Sequence, residues 1–194
     1  MRFADKQRAG QQGESLIGAW LRSRGNWVLP TYEVALDAAK GPRLFGPGGG
    51  DLISPDLLVM GPGGVLWVEA KQKTAFSWHR LTRRWVTGID LRHYRDYLRV
   101  QDETPFDVWL LFLHTQGQTP DGACPTGLFG GALDELRSRE SHRSGNWGSG
   151  GMVYWAHEAL RLLATLEDVE AAAGGVAAGE PSHGAYVWAA PRSE

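Results

Sequence analysis

The chain has 194 residues, 42% of them hydrophobic and 22% charged, with a formal net charge of -2. That length suits a single domain with a substantial core, and the near-neutral balance excludes a general attraction to nucleic acid, so any such contact needs a local patch. One cysteine, Cys124, excludes an internal disulfide framework and a cysteine-rich zinc site, and no uncharged apolar run approaches the ~20 residues of a membrane span.

In chain order, residues 5–24 are predicted to form a helix, because Leu16, Ile17, Trp20 and Leu21 recur at helical spacing and Gly25 follows as a stop. Arg2, Asp5, Lys6 and Arg8 interrupt anything resembling a signal peptide, so the protein is expected in the cytoplasm, free of the membrane. "WVLPTYEV", 27–34, reads as a strand whose Pro30 belongs on an edge or at a bulge. Residues 37–50, which hold "GPRLFGPGGG", read as a loop. Two short apolar runs follow, "DLLVM" at 56–60 and "VLWVEA" at 65–70, and Gly61, Pro62, Gly63 and Gly64 between them predict a β-hairpin with a four-residue turn.

Residues 88–102 read as a helix with Ile89, Tyr94, Tyr97 and Leu98 on its apolar stripe. "FDVWLLFLH", 106–114, is nearly unbroken in its hydrophobicity, as in a strand buried on both faces. A Gly-rich loop containing "RSGNWGSGG" comes next, then a strand at 152–156 and a last helix over 157–169. Beyond Glu170 the Ala/Gly-rich composition offers little to build a core with, so 1–170 is expected as one domain and 171–194 as a tail. This order predicts an α/β fold, a mixed β-sheet flanked by helices, over a bundle or a sandwich.

The hairpin carries charge at its open end. If it is symmetric about its turn, paired positions sum to 125, which sets Asp56 opposite Glu69. Glu69 and Lys71, two apart in a strand, share a face. Two carboxylates so close repel unless something positive lies between them. The three groups make either a surface salt bridge beside a hairpin or a site for a hard divalent cation with its lysine attached.

Pro55-Asp56, twelve intervening residues and then Glu69-Ala70-Lys71 resembles the PD-(D/E)xK nuclease signature. The element order over roughly 10–115 is similar to that superfamily's restriction-endonuclease-like αβββαβ core. The resemblance implies a Mg²⁺- or Mn²⁺-dependent deoxyribonuclease. Asp56 and Glu69 would be metal ligands, with the carbonyl of Ala70 as another, and Lys71 would face the water or phosphate. Asp51, before "LIS", competes for the role of first acid; Asp56 is preferred because it adjoins the cleaner strand and carries the preceding proline. Glu14, at the border of the first helix's apolar face, matches the place where RecB-type nucleases and archaeal-type Holliday junction resolvases carry an acid or histidine near the metal. His93 and Tyr97 match the spacing of the RecB-type Gln-hydrophobic-x-x-Tyr motif, with histidine in place of glutamine.

From Lys71 to Arg99 there are eight Lys and Arg against Asp90 and Asp96 alone, a local excess of six positive charges. Phe76, Trp78, Trp85, Tyr94 and Tyr97 are interleaved. Such a patch suits phosphate neutralisation and base stacking, so Lys73, Arg80, Arg83, Arg84, His93, Arg95 and Tyr97 are expected to bind DNA. An exonuclease or a DNA repair and recombination nuclease is the leading expectation. The alternatives are a Holliday junction resolvase, whose two active sites would require a homodimer, and a non-catalytic nucleic-acid-binding module. Little of the chain remains for the target-recognition domain of a site-specific restriction enzyme.

Overall fold

The computed structural model describes residues 3–31, 42–47, 51–145 and 150–178, with side chains assessed from residue 12 to 175. Helix α1 (Phe3–Ser23) buries Ile17, Trp20 and Leu21. It ends where Gly25 turns to φ 82° and the Asn26 side-chain amide donates to the Leu21 carbonyl at 3.0 Å. Strand β1 (Trp27–Pro30) is an edge strand, the place a proline tolerates because it has no N–H to donate. The rest of the strand expected there, 32–34, lies outside the described residues.

Part of the expected loop at 37–50 is instead extended: β2 (Arg43–Phe45) pairs antiparallel with β3 (Asp51–Ile53), while 37–41 and 48–50 lie outside the described residues. The hairpin forms as β4 (Leu57–Gly61) and β5 (Gly64–Lys73). Leu57 pairs with Val68 and Gly61 with Gly64, the symmetry expected. The turn is tighter than four residues, leaving Pro62 and Gly63 between paired ends, and Gly64 at φ 111° takes a conformation that side-chain-bearing residues rarely adopt.

Downstream, β6 (Ser77–His79) and β7 (Arg84–Asp90) form a second hairpin, so 88–90 belong to a strand and helix α2 (Leu91–Glu103) starts later than expected. α2 buries Tyr94, Tyr97 and Val100. β8 (Asp107–His114) is central and buried, parallel to β5 on one side. The expected Gly-rich loop contains most of the remaining elements. These are a small ribbon of β9 (Gln118–Thr119) and β10 (Gly122–Ala123), then β11 (Gly127–Ala132), helix α3 (Leu133–Arg137) and β12 (Glu140–Ser144). β13 (Met152–Ala156) is the strand expected there. The helix predicted over 157–169 is a single 3-10 turn at His157–Ala159, strand β14 (Arg161–Ala164), and then helix α4 (Leu166–Ala178), which continues past Glu170. Pairing with β11 overrides the helical propensity of "RLLA".

The main sheet runs β1-β4-β5-β8-β11-β14, mixed because β5 and β8 are parallel and the other neighbours antiparallel. A second, antiparallel sheet runs β12-β13-β7-β6. One core cluster joins α1 and α4 to the main sheet through Ile17, Trp20, Val68, Ala70, Leu111 and Val169. The other joins the opposite face to α2, α3 and the second sheet through Trp67, Tyr94, Tyr97, Phe112, Leu136 and Trp155. The α/β class and the sheet flanked by helices are as expected; the second sheet is additional. Among the described residues no helix is long and apolar enough to cross a membrane.

Candidate metal centre

Asp56 lies just before β4, and its main chain is clamped from the edge strand's side. The Thr31 N–H and hydroxyl each donate to the Asp56 carbonyl at 2.8 Å. Asp56 directly precedes Leu57, which pairs with Val68, and so comes beside Glu69 of β5, whose charge acts on it. The Ala70 N–H donates to Asp56 Oδ2 at 3.0 Å, and Lys71 Nζ stands 3.6 Å from the same oxygen. Lys71 also pairs with Glu69 Oε1. Because β5 lies between β4 and β8, Glu69 is only 1% exposed. The Ala70 side chain points the other way, into the α1 core.

Burial sets the electrostatics. Desolvation, followed by the Glu69 charge, pushes the Asp56 carboxyl up from 3.8 to about 7, against the opposing pull of Lys71 and the Ala70 N–H. Burial pulls the Lys71 ammonium down, but Glu69 and Asp56 outweigh it and hold its pKa above the ordinary value. Lys71 is ion-paired to Glu69 Oε1, and the Tyr97 hydroxyl reaches the same carboxylate from the core side. Two hard carboxylates side by side, one of them wholly buried, are a donor set that fits Mg²⁺ or Mn²⁺, which commonly use one or two protein carboxylates and keep several waters.

Glu14 is half-buried on α1, which comes against β5 at Gly13, where a methyl would overlap Gln72 Cβ. Glu14 lines a groove of about 230 Å³ with Gly18, Val28 and Leu57, and its charge reaches Lys71. It does not complete a three-acid cluster: among the described residues no three His, Cys, Asp or Glu side chains converge as metal ligands. Asp51 is elsewhere, exposed and paired with Arg43 at 3.1 Å.

α2 brings His93 and Tyr97 to the same place. Burial and Lys71 lower the His93 pKa, while Asp90 and Asp56 oppose. Tyr97, expected on the DNA surface, is 1% exposed and beyond the reach of a nucleic acid; burial and Glu69 raise its phenol well above its ordinary value. Lys73 is half-buried, with its pKa lowered by burial and Lys71. Arg80, Arg83 and Arg84 are exposed on the β6–β7 hairpin, and Arg95 is exposed on α2. Sequence reasoning missed Asp90. It stands at the N-cap position of α2 without a side-chain capping bond, and its charge acts on Lys73 and His93 instead. The helix expected over 88–102 took Asp90 into its first turn, where an acid is ordinary, and so hid it.

No family model matches the chain, and no curated protein does. Among solved structures, a Holliday junction resolvase of the archaeal hyperthermophile Archaeoglobus fulgidus is similar over 77% of this chain and 90% of its own, at 6% identity and a TM-score of 0.47.

Proposed function

We propose that this protein is a divalent-cation-dependent deoxyribonuclease that hydrolyses DNA phosphodiester bonds at Asp56, Glu69 and Lys71. The observation that carries the reading is the buried pairing of Asp56 and Glu69 around Lys71. Asp56 and Glu69 would hold Mg²⁺ or Mn²⁺, with the Ala70 carbonyl as a further oxygen ligand. When bound, such a cation stabilises charge developing on the phosphate and acidifies a water. Lys71 presents an ammonium to the phosphate or to the attacking water. Tyr97 fixes Glu69 from the core side, and Thr31 and the Ala70 N–H fix Asp56. Arg80, Arg83, Arg84 and Arg95 supply exposed charge for phosphates upstream or downstream of the scissile bond.

A module that merely binds nucleic acid gains nothing from two acids held this close, one of them resisting ionisation up to about pH 7. Within the class, an exonuclease or a repair and recombination nuclease is one reading and a Holliday junction resolvase the other. The test is a panel of labelled linear, nicked, flapped and four-way DNAs with Mg²⁺ or Mn²⁺. The expected result is cleavage that chelation and Glu69→Gln both abolish; a protein that cuts none of them in either metal overturns the proposal.

A further inference from the structure

The second sheet holds a concavity of its own. β12 and β6 are its two edges, yet His79 of β6 and His142 of β12 stack with ring centroids 3.8 Å apart and planes within 10°. The sheet is therefore curled until its edges meet. Tyr154 of β13 continues the stack on His142 at 4.6 Å and 6°. Gly88 on the neighbouring strand makes room, since a Cβ there would sit 2.8 Å from Tyr154 Cδ1. Val153 and Trp155 point into the core, so by strand alternation these rings occupy the opposite face. They line a cleft of about 800 Å³ together with Trp78, Leu81 and Arg143, and none of its described lining residues is acidic. Burial and the neighbouring His79 lower the His142 pKa.

At the rim, the turn between β6 and β7 projects Leu81, 91% exposed, between Arg80 and Arg83, while Arg84 opens β7 and lines a separate pocket with Glu140 and Glu158. These three arginines form no ion pair among the described residues. Arg83 adopts φ 51°, a left-handed conformation that glycine takes at far lower cost. A bulky cation is thus held where backbone geometry favours glycine. The hairpin leaves the same end of β5 as the acid pair, four residues after Lys73.

We infer that this hairpin and its cleft separate strands: Leu81 wedges at a junction of duplex and single strand, Arg80 and Arg83 hold phosphates, and the unpaired strand lies in the cleft with a base against the outer rings of the His79–His142–Tyr154 stack. Apolar wedges open base steps, and aromatic faces take bases of any sequence. The inference rests on the nuclease reading for its ligand being DNA, and it names forked or flapped DNA as the preferred class.

The test uses the full chain carrying Glu69→Gln, in chelator, with fluorescence anisotropy on a forked duplex and a blunt duplex of the same sequence. The fork is expected to bind about tenfold more tightly or better. Leu81→Ser, at an exposed position, and the His142→Ala/Tyr154→Ala pair, checked for folding by thermal unfolding, should each cut that preference to about twofold or less. Equal affinity for both DNAs, or an undiminished preference in both folded variants, overturns the inference. Cleavage without fork preference removes this inference alone; fork preference in a wild-type protein that cuts no DNA removes the nuclease reading and leaves the strand-separating cleft standing.

Discussion

Asp56→Asn should make the cation-free protein more stable. The Asp56 carboxyl sits at about 7 in the folded chain against an ordinary value of 3.8. An acid whose folded value lies above its unfolded one binds more protons in the native state, so its contribution is most favourable below about pH 4 and is lost as pH rises to 7. About three pH units at ~1.36 kcal/mol each put the ceiling near 4 kcal/mol. Asparagine keeps an oxygen for the Ala70 N–H and leaves Lys71 paired with Glu69. Allowing for relaxation around the amide, a gain of about 2 kcal/mol at pH 8 corresponds to a Tm rise of roughly 4–8 °C for a chain of this length. Scanning calorimetry in chelator measures it. The gain should shrink at pH 5, where the wild-type acid is already protonated. Mn²⁺ should raise the Tm of the wild type and leave Asp56→Asn unmoved. A variant that is less stable at pH 8, or one that Mn²⁺ still stabilises fully, would show that Asp56 acts as an ordinary ion-pair partner of Lys71.

Mn²⁺ affinity followed by calorimetric titration should climb by up to about tenfold per pH unit toward pH 7 and then flatten, because Asp56 must release its proton to bind. Lys71→Met should cut cleavage by about 10²–10³-fold, and it should destabilise the cation-free protein by about 3–5 kcal/mol, because the buried Glu69 loses its partner; Mn²⁺ should restore part of that loss in a urea titration. Gly13→Ala ordinarily helps a helix by about 1 kcal/mol, but here the methyl meets Gln72, and overpacking of ~1–3 kcal/mol should lower Tm instead. Arg83→Gly should raise stability by about 1 kcal/mol by relieving the left-handed backbone, while weakening DNA binding and reducing its salt slope by about 1.

The acid pair was legible because two-residue periodicity and a glycine-proline turn leave the hairpin a single register, so Asp56 and Glu69 could be set opposite by arithmetic. His93 and Tyr97 were legible as spacing, and Tyr97's place on the apolar stripe of its helix already pointed to the burial behind Glu69 that the structure has, against stacking on DNA. The second sheet was not foreseen. Its strand "ESHRS" is polar, bulged and half-exposed, without the alternation that marks a strand. Trp85 and Ile89 pack into the core, but Val86, Thr87 and Gly88 between them are buried as well, so β7 carries no alternation to read. "RLLA" carries helical propensity and becomes a strand because β11 offers an unpaired edge, a tertiary effect that no local pattern records.

Anomalous diffraction from a crystal soaked in Mn²⁺ shows whether Asp56 and Glu69 hold a cation. A manganese peak touching the carboxylates of both Asp56 and Glu69, absent from Glu69→Gln crystals, is the result predicted. Soaking at a Mn²⁺ concentration that supports DNA cleavage and finding no peak there, or finding it unchanged in Glu69→Gln, would contradict the account.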